Sequence, residues 1–306
     1  MGIGNFGILC LMTDIEKLNE KVKYSKNQCD LDAELISRED SGNYWTEKVS
    51  FNVAENERIN AYVLIPKTLE NTAPAVYCFH QHGSNWDIGK SEPVGLMGDP
   101  DLAYAKELTE LGYITITPDA FAFEERNQGG GAGETFFEMV KKIVMGDTLL
   151  AKVISDTVKG IDYILSRKEC NGNIGFIGHS YGGRMALWLP VFDNRIKVSV
   201  SNCGCVNYED SIDENRIGIQ MEFGVPDILG FGDMDKITKL GCNTNLLISA
   251  TKDDKYSTGA EMLYSRIKGS YIDSEVLLSK YEGGHIFTKE MRTNAYNFIA
   301  KHLPLQ

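Results

Sequence analysis

Ser180 stands between Gly178 and Gly182 in "NIGFIGHSYGGRMALW", residues 173–188. An apolar run, Ile174–Ile177, ends at the first of these glycines, and a helix-like segment, Arg184–Leu189, follows the second. A serine at a sharp strand-to-helix turn exposes its hydroxyl beside a helix N-terminus. Side chains at the flanking positions would collide with neighbouring backbone, so glycine fits at 178 and 182. G-x-S-x-G carries nucleophilic chemistry only in that strand–turn–helix setting. The same letters also occur as a tight turn around an inert serine.

A hydroxyl becomes a nucleophile when a base takes its proton. The chain has five histidines. His179 adjoins Ser180, with its side chain expected to point away. His302 falls in a C-terminal helix and reads as a surface residue. His80 and His82 stand together after a strand, where a metal pair is the alternative, but no carboxylate or third histidine lies close to them in sequence. His285, in "KYEGGHIFTKE", follows the last strand in a loop with Gly283 and Gly284. It can reach over the carboxyl end of a sheet, which makes it the expected base. A base needs a carboxylate to hold its tautomer, and "ISATKDDKYS" offers Asp253 and Asp254 just past the preceding strand. An oxyanion site needs N–H donors. Tyr181, directly after the nucleophile, supplies one. The loop "HQHGSN" supplies the other, from His82 by register, with Gln81 as the alternative.

The elements that position these residues follow from periodicity. Tyr44–Val53 and Ile59–Ile65 alternate apolar and polar around "AENE" and predict an antiparallel hairpin. Strands are expected at Ala75–His80, Tyr113–Pro118, "IGFIG", Ile196–Asn202, Asn245–Ala250 and Glu275–Lys280. Helices are expected at Leu102–Leu111, Thr148–Arg167, Arg184–Leu189, Gly259–Ile267 and Phe287–His302. Such alternation specifies a mostly parallel central sheet with helices on both faces, led by the antiparallel hairpin. In such sheets ligands bind beyond the carboxyl ends of the strands. Residues 13–39 read as mostly helical, so the expected division is an N-terminal helical extension over 1–43 and a catalytic domain over 44–306. Two long excursions interrupt the rhythm, Asp119–Met145 with "NQGGGAGE" and Cys203–Leu240.

The 306 residues carry a net charge of −12, which argues against a nucleic-acid or anionic-membrane partner. No apolar run approaches the roughly 18 residues of a membrane span. Phe6–Met12 is apolar but short, without basic residues before it, so a signal peptide is not expected. Phe6 does not fit a myristoylation pattern. Seven scattered cysteines suggest reduced thiols and a cytoplasmic location, and Cys203-Gly204-Cys205 has no second pair at zinc-finger spacing. No metal is expected, and the sequence leaves open a homo-oligomer.

These residues resemble an α/β-hydrolase of the dienelactone hydrolase-like and acetyl xylan esterase-like group. The resemblance rests on "HQHGSN" followed by "GK", "GLMGDPDLAYAKELTELGYITITPDAFAFEER", "GHSYGG", "KDD" and "GGH", and runs from about Tyr44 to His302. It implies the α/β-hydrolase fold and ester hydrolysis through an acyl-serine, with no cofactor and a small-molecule ester as partner. Its acid register implies Asp253, with Asp254 pointing the other way. Ser180 departs from the cysteine of dienelactone hydrolases proper, so a serine esterase for short acyl or sugar-acetyl groups is favoured over lactone opening. Glu124, in "FEER", stands where related sequences have glycine and is expected to alter the pocket; Glu125 and Arg126 read as a structural ion pair. Trp86, Phe121, Phe123 and Phe231 are expected to wall the acyl pocket, alongside Phe136, Phe137 and Phe223. A serine peptidase of the prolyl-oligopeptidase kind is the alternative enzyme, although the residues before the first strand leave no room for its large additional domain. A non-catalytic binding protein on this fold is the alternative outside enzymes.

Overall fold

The computed structural model describes residues 12–213 and 220–305. In chain order the elements are α1 (Asp14–Val22), β1 (Glu34–Asp40), β2 (Tyr44–Ala54), β3 (Glu57–Pro66), β4 (Ala73–Phe79), α2 (Tyr104–Glu110), β5 (Ile114–Pro118), α3 (Ala132–Val144), α4 (Leu149–Ser166), β6 (Cys170–His179), α5 (Tyr181–Phe192), β7 (Ile196–Asn202), α6 (Tyr208–Asp213), α7 (Ile228–Phe231), α8 (Met234–Lys239), β8 (Asn245–Thr251), α9 (Ala260–Ile267), β9 (Val276–Tyr281) and α10 (Lys289–His302). The strands form one sheet in the order β1-β2-β3-β5-β4-β6-β7-β8-β9. β1, β2, β3 and β5 pair antiparallel in sequence, and every pair from β5 through β4 to β9 is parallel. This is the expected α/β-hydrolase architecture.

The central strand shows why both sheet faces must be covered. All seven residues of β4 are buried. Ala75, Tyr77 and Phe79 enter one core with α4 and α5, through Val153, Ile161, Met185 and Trp188. Val76 and Cys78 enter the opposite core with α2 and α10, through Leu108, Met291, Phe298 and Ile299. The period of two along the strand therefore feeds two helical layers.

One expectation needs correction. Residues 13–39 are helical only over α1, which Thr13 starts with a capping box to Glu16. Glu34–Asp40 is instead a strand on the sheet edge. It is almost wholly exposed, with Leu35 and Ile36 open to solvent, so no buried face imposes the alternation that marks a strand. The excursions also contain helices: α3 lies in the glycine-rich one, and α6, α7 and α8 in the second. The apolar Phe6–Met12 stretch lies, apart from Met12, outside the described residues. Among the described residues no helix is long and apolar enough to cross a membrane. The six cysteines there are free thiols.

Candidate active site

Ser180 joins β6 directly to α5 and holds φ 58°, ψ −110°. A non-glycine residue at positive φ is strained and needs surrounding structure to hold it. The hold is visible on both sides. The Ser180 N–H donates to Asn202 O at the end of β7 (2.9 Å), and Ser180 O accepts from the Arg184 N–H (2.8 Å). A Cβ at Gly178 would lie 2.3 Å from the Gly182 carbonyl carbon, and one at Gly182 would lie 2.1 Å from Phe79 O. Backbone meets backbone at both positions, so only glycine permits the turn. Ser180 is partly exposed at the carboxyl end of the sheet.

The histidine loop is built from main-chain and side-chain bonds to the neighbouring strands. Gly283 O accepts from the Asp253 N–H (2.9 Å). Gly284 O accepts from Thr251 Oγ1 (2.6 Å), and Ile286 O from Asn202 Nδ2 (3.1 Å). His285 thus sits over the strand ends, and its Nδ1 lies 3.1 Å from Asp254 Oδ1. Ser180 and His285 line one cleft of about 430 Å³, together with His82, Trp86, Met221 and Tyr256.

The carboxylate that meets His285 is therefore Asp254, where the sequence reading expects Asp253. β8 continues through Thr251, and the Asp253 N–H extends the pairing to Gly283, which sends the Asp253 side chain into solvent. Asp254 then opens a turn and points inward. Its Oδ1 accepts from the Tyr256 N–H (3.0 Å) and its Oδ2 from Ser257 Oγ (2.6 Å). Burial pushes the Asp254 carboxyl up, but the hydrogen bonds from His285, Ser257 and Tyr256 outweigh it and leave its pKa below the ordinary value.

Two flanking rings carry no sequence signal. The His285 ring stands 4.5 Å from that of His179 and 4.8 Å from that of Tyr256. His179 is buried with its Nδ1 on Asn202 Nδ2 (2.7 Å). Burial, and then the neighbouring His285, push His179 down to about 3, so it is neutral. The Cys203 sulfur, an Asp254 oxygen and a His285 ring nitrogen lie within 4.8 Å of one another. Burial pushes the Cys203 thiol up to about 12, which disfavours the thiolate a metal would require.

Tyr181 opens α5, where first-turn N–H groups lack intrahelical acceptors. Across the cleft, His82 lines the wall, and the side-chain amide of Gln81 donates to Glu92 Oε1 (3.1 Å). His80 is fully committed: its Nδ1 bonds Gln81 O (2.7 Å) and its Nε2 accepts from the Ala120 N–H (3.0 Å).

Of the expected pocket aromatics, Trp86 lines the cleft. Phe123 is fully buried behind it, with ring centroids 6.2 Å apart. Phe121 lies elsewhere, under the Arg126 guanidinium, and Phe231 is a core residue beneath the Lys236 ammonium. Phe136 and Phe137 are exposed on α3. An aromatic ring in a long loop serves core and cleft equally well, so residue type could not separate these.

Glu124 is an anchor rather than a pocket group. Lys90 Nζ, fully buried, meets Asp119 Oδ2 (2.7 Å) and Glu124 Oε1 (2.6 Å). The same two carboxylates accept the main-chain N–H groups of Gly89, Lys90 and Ser91 at 3.0, 2.8 and 2.9 Å. Burial, opposed by Lys90 and reinforced by Glu124, pushes Asp119 up to about 7. Glu125 and Arg126 do not pair with each other. Glu125 bonds Lys48, and Arg126 bonds Glu57 (2.7 Å) and Asp156 (2.8 Å).

The sequence pattern of the prolyl oligopeptidase family matches residues 105–303, well over half the chain and inclusive of Ser180, Asp254 and His285. The chain belongs to the prolyl oligopeptidase family. Membership of this serine hydrolase family agrees with the α/β-hydrolase sheet. The chain is also 35% identical over 164 residues to YtaP of Bacillus subtilis (strain 168), which bears a provisional hydrolase name. That alignment covers 53% of this chain and 54% of YtaP, so the chain spans about half the length of that relative. Among solved structures, a glucuronoyl esterase from Solibacter usitatus superposes with a TM-score of 0.71 at 15% identity, covering 95% of this chain and 91% of that one. Acetyl xylan esterase 1 from Thermoanaerobacterium sp. JW/SL YS485 gives 0.65 at 17% identity, covering 94% and 92%. At such identities the likeness establishes the fold.

Proposed function

We propose that this member of the prolyl oligopeptidase family is a serine esterase that cleaves small acyl or sugar-acetyl esters through an acyl-serine. The observation that carries the reading is the cleft shared by Ser180 and His285, with His285 Nδ1 on the Asp254 carboxylate. Asp254 holds the Nδ1–H tautomer and leaves Nε2 as base. His285 takes the Ser180 proton as Oγ bonds to the ester carbonyl carbon. The carbonyl electron pair moves onto oxygen, where the Tyr181 and His82 main-chain N–H groups receive the charge. The pair returns as the C–O bond to the leaving alcohol breaks, and His285 Nε2 gives that alcohol its proton. Water, deprotonated by His285, then repeats the sequence on the acyl-serine and releases the acid. No cofactor enters these steps.

Ser84 and Gln220 line the cleft beside the Trp86 wall, which suits a compact, hydroxylated ester. The structural likeness to glucuronoyl and acetyl xylan esterases favours the same class. The family match favours a second reading, a serine peptidase. Purified protein assayed on nitrophenyl acetate and on aminoacyl-arylamides separates the two: the esterase reading expects turnover of the first, and turnover of arylamides alone supports the peptidase. A fluorophosphonate should label Ser180. Ser180→Ala should lose at least about a thousandfold in rate, as removal of a triad nucleophile does. Undiminished turnover by that variant overturns both readings.

A further inference from the structure

Beside the cleft, the short helical turn Met221–Phe223 places Glu222 one residue from Met221, which lines it. Glu222 is 1% exposed, and neither carboxyl oxygen has a hydrogen-bond partner among the described residues. Its own main-chain N–H and the Arg184 guanidinium offset only part of that burial, and a buried carboxyl so poorly served by donors asks for a reason. Its neighbour is the His82 ring, with Nε2 3.8 Å from Oε1. That is longer than a hydrogen bond.

The His82 ring is held on its other sides. Its Nδ1 accepts from the Ser84 N–H (3.1 Å), which puts the ring proton on Nε2, facing Glu222. Trp86 and Phe123 meet it edge to face at 4.9 and 5.0 Å. The chain around it needs such a hold, because Gly83 and Ser84 are both at positive φ, +54° and +52°. Burial pushes His82 down to about 4 and Glu222 up to about 7. The contact is therefore not an ion pair at neutral pH. Among the described residues, the other charged or titratable groups that face Glu222 are Arg184 and Tyr181 on α5.

We propose that Glu222 is a positioning residue for the oxyanion site. Its carboxyl is the acceptor that the His82 Nε2–H faces, and a small approach of the two completes the bond and fixes the 82–86 loop with the His82 main-chain N–H aimed at the developing oxyanion. The inference rests on the serine-hydrolase reading above, and it adds a residue that never touches the substrate. A donor that is present but misaimed costs turnover rather than binding.

Three readouts test it. Glu222→Leu should lower kcat on nitrophenyl acetate, and the rate of fluorophosphonate labelling of Ser180, by about tenfold or more, below the full loss of an oxyanion donor. KM should stay within about twofold. Glu222→Gln, whose carbonyl still accepts from Nε2–H, should recover most of the loss. In a His82→Phe background Glu222→Leu should cost nothing further. Additive losses, or an unchanged kcat in Glu222→Leu, overturn the proposal. The labelling rate needs no ester, so failure of the esterase reading leaves this test intact. Should Glu222→Leu not fold, 15N NMR of the wild-type His82 ring decides: the proton must reside on Nε2, and a ring protonated on Nδ1 overturns the assignment.

Discussion

Asp254 and Asp253 are adjacent in sequence and opposite in surroundings: the first is buried against His285 Nδ1, and the second projects into water while its main chain ties down Gly283. Asp254→Asn keeps the shape and removes the charge. It also lets an amide face Nδ1, which favours the wrong imidazole tautomer. In a serine protease the equivalent change costs about ten thousandfold in kcat. We expect a loss of at least about a hundredfold for Asp254→Asn and less than about twofold for Asp253→Asn, measured as kcat on nitrophenyl acetate. Reversed effects would remove Asp254 from the triad.

Lys90 is the fixed point of the loop that carries His82 and Trp86. Its ammonium is fully buried between Asp119 and Glu124, and Glu125 stands 3.4 Å away. Lys90→Met should destabilise the protein by about 3–5 kcal/mol, because it strands buried carboxylates. Adding Asp119→Asn and Glu124→Gln should restore part of that, since the buried charge then disappears with its partner. Urea midpoints of the single and triple variants check this. A single variant as stable as wild type would mean that the cluster does not anchor the loop.

What the chain disclosed by itself was set by local rules. The nucleophile turn is written in glycines that nothing else could replace, and the strand and helix patterns around it are periodic. His285 stood out because a histidine directly after two glycines follows the last strand. The carboxylate that meets His285 was misplaced by one residue, since the strand runs to Thr251 and the turn after it is set by Asp254 accepting from Tyr256 and Ser257. Those bonds are tertiary consequences, and spacing alone does not carry them. β1 escaped because an exposed edge strand has no buried face to pattern. The places of Tyr256 and Glu222 beside the cleft, and of the His179 ring against His285, escaped because they depend on neighbours brought in from distant strands and loops.

The cleft also bears on substrate size. Met221, Tyr256 and Trp86 wall it, while Phe223 is buried below. The apolar groove lined by Met139, Ile143 and Leu229 is a separate cavity. Among the described residues the cleft and the groove are separate, so an acyl chain leaving the serine is not offered a continuous apolar tunnel. We expect kcat/KM in a nitrophenyl ester series to favour acetyl to butyryl over decanoyl. A steady rise towards long chains would show that the groove and the cleft connect.

Glu222 also makes a prediction about stability against pH. Burial raises its carboxyl from the ordinary 4.5 to about 7. A carboxyl with a raised folded pKa binds protons more readily in the folded state than in the unfolded one. Its contribution is then fully present below about pH 4.5 and is lost as the pH rises through about 7. The shift corresponds to a loss on the order of 3 kcal/mol across that window. Glu222→Gln removes the ionisation and with it this slope. Asp119 is shifted in the same direction but is present in both proteins, so it cancels in the difference. The Tm of Glu222→Gln minus that of wild type should therefore grow by several degrees between pH 4.5 and 8. A flat difference would mean that Glu222 is already satisfied in its ionised form. In that case its carboxylate would bear permanent charge beside the oxyanion site.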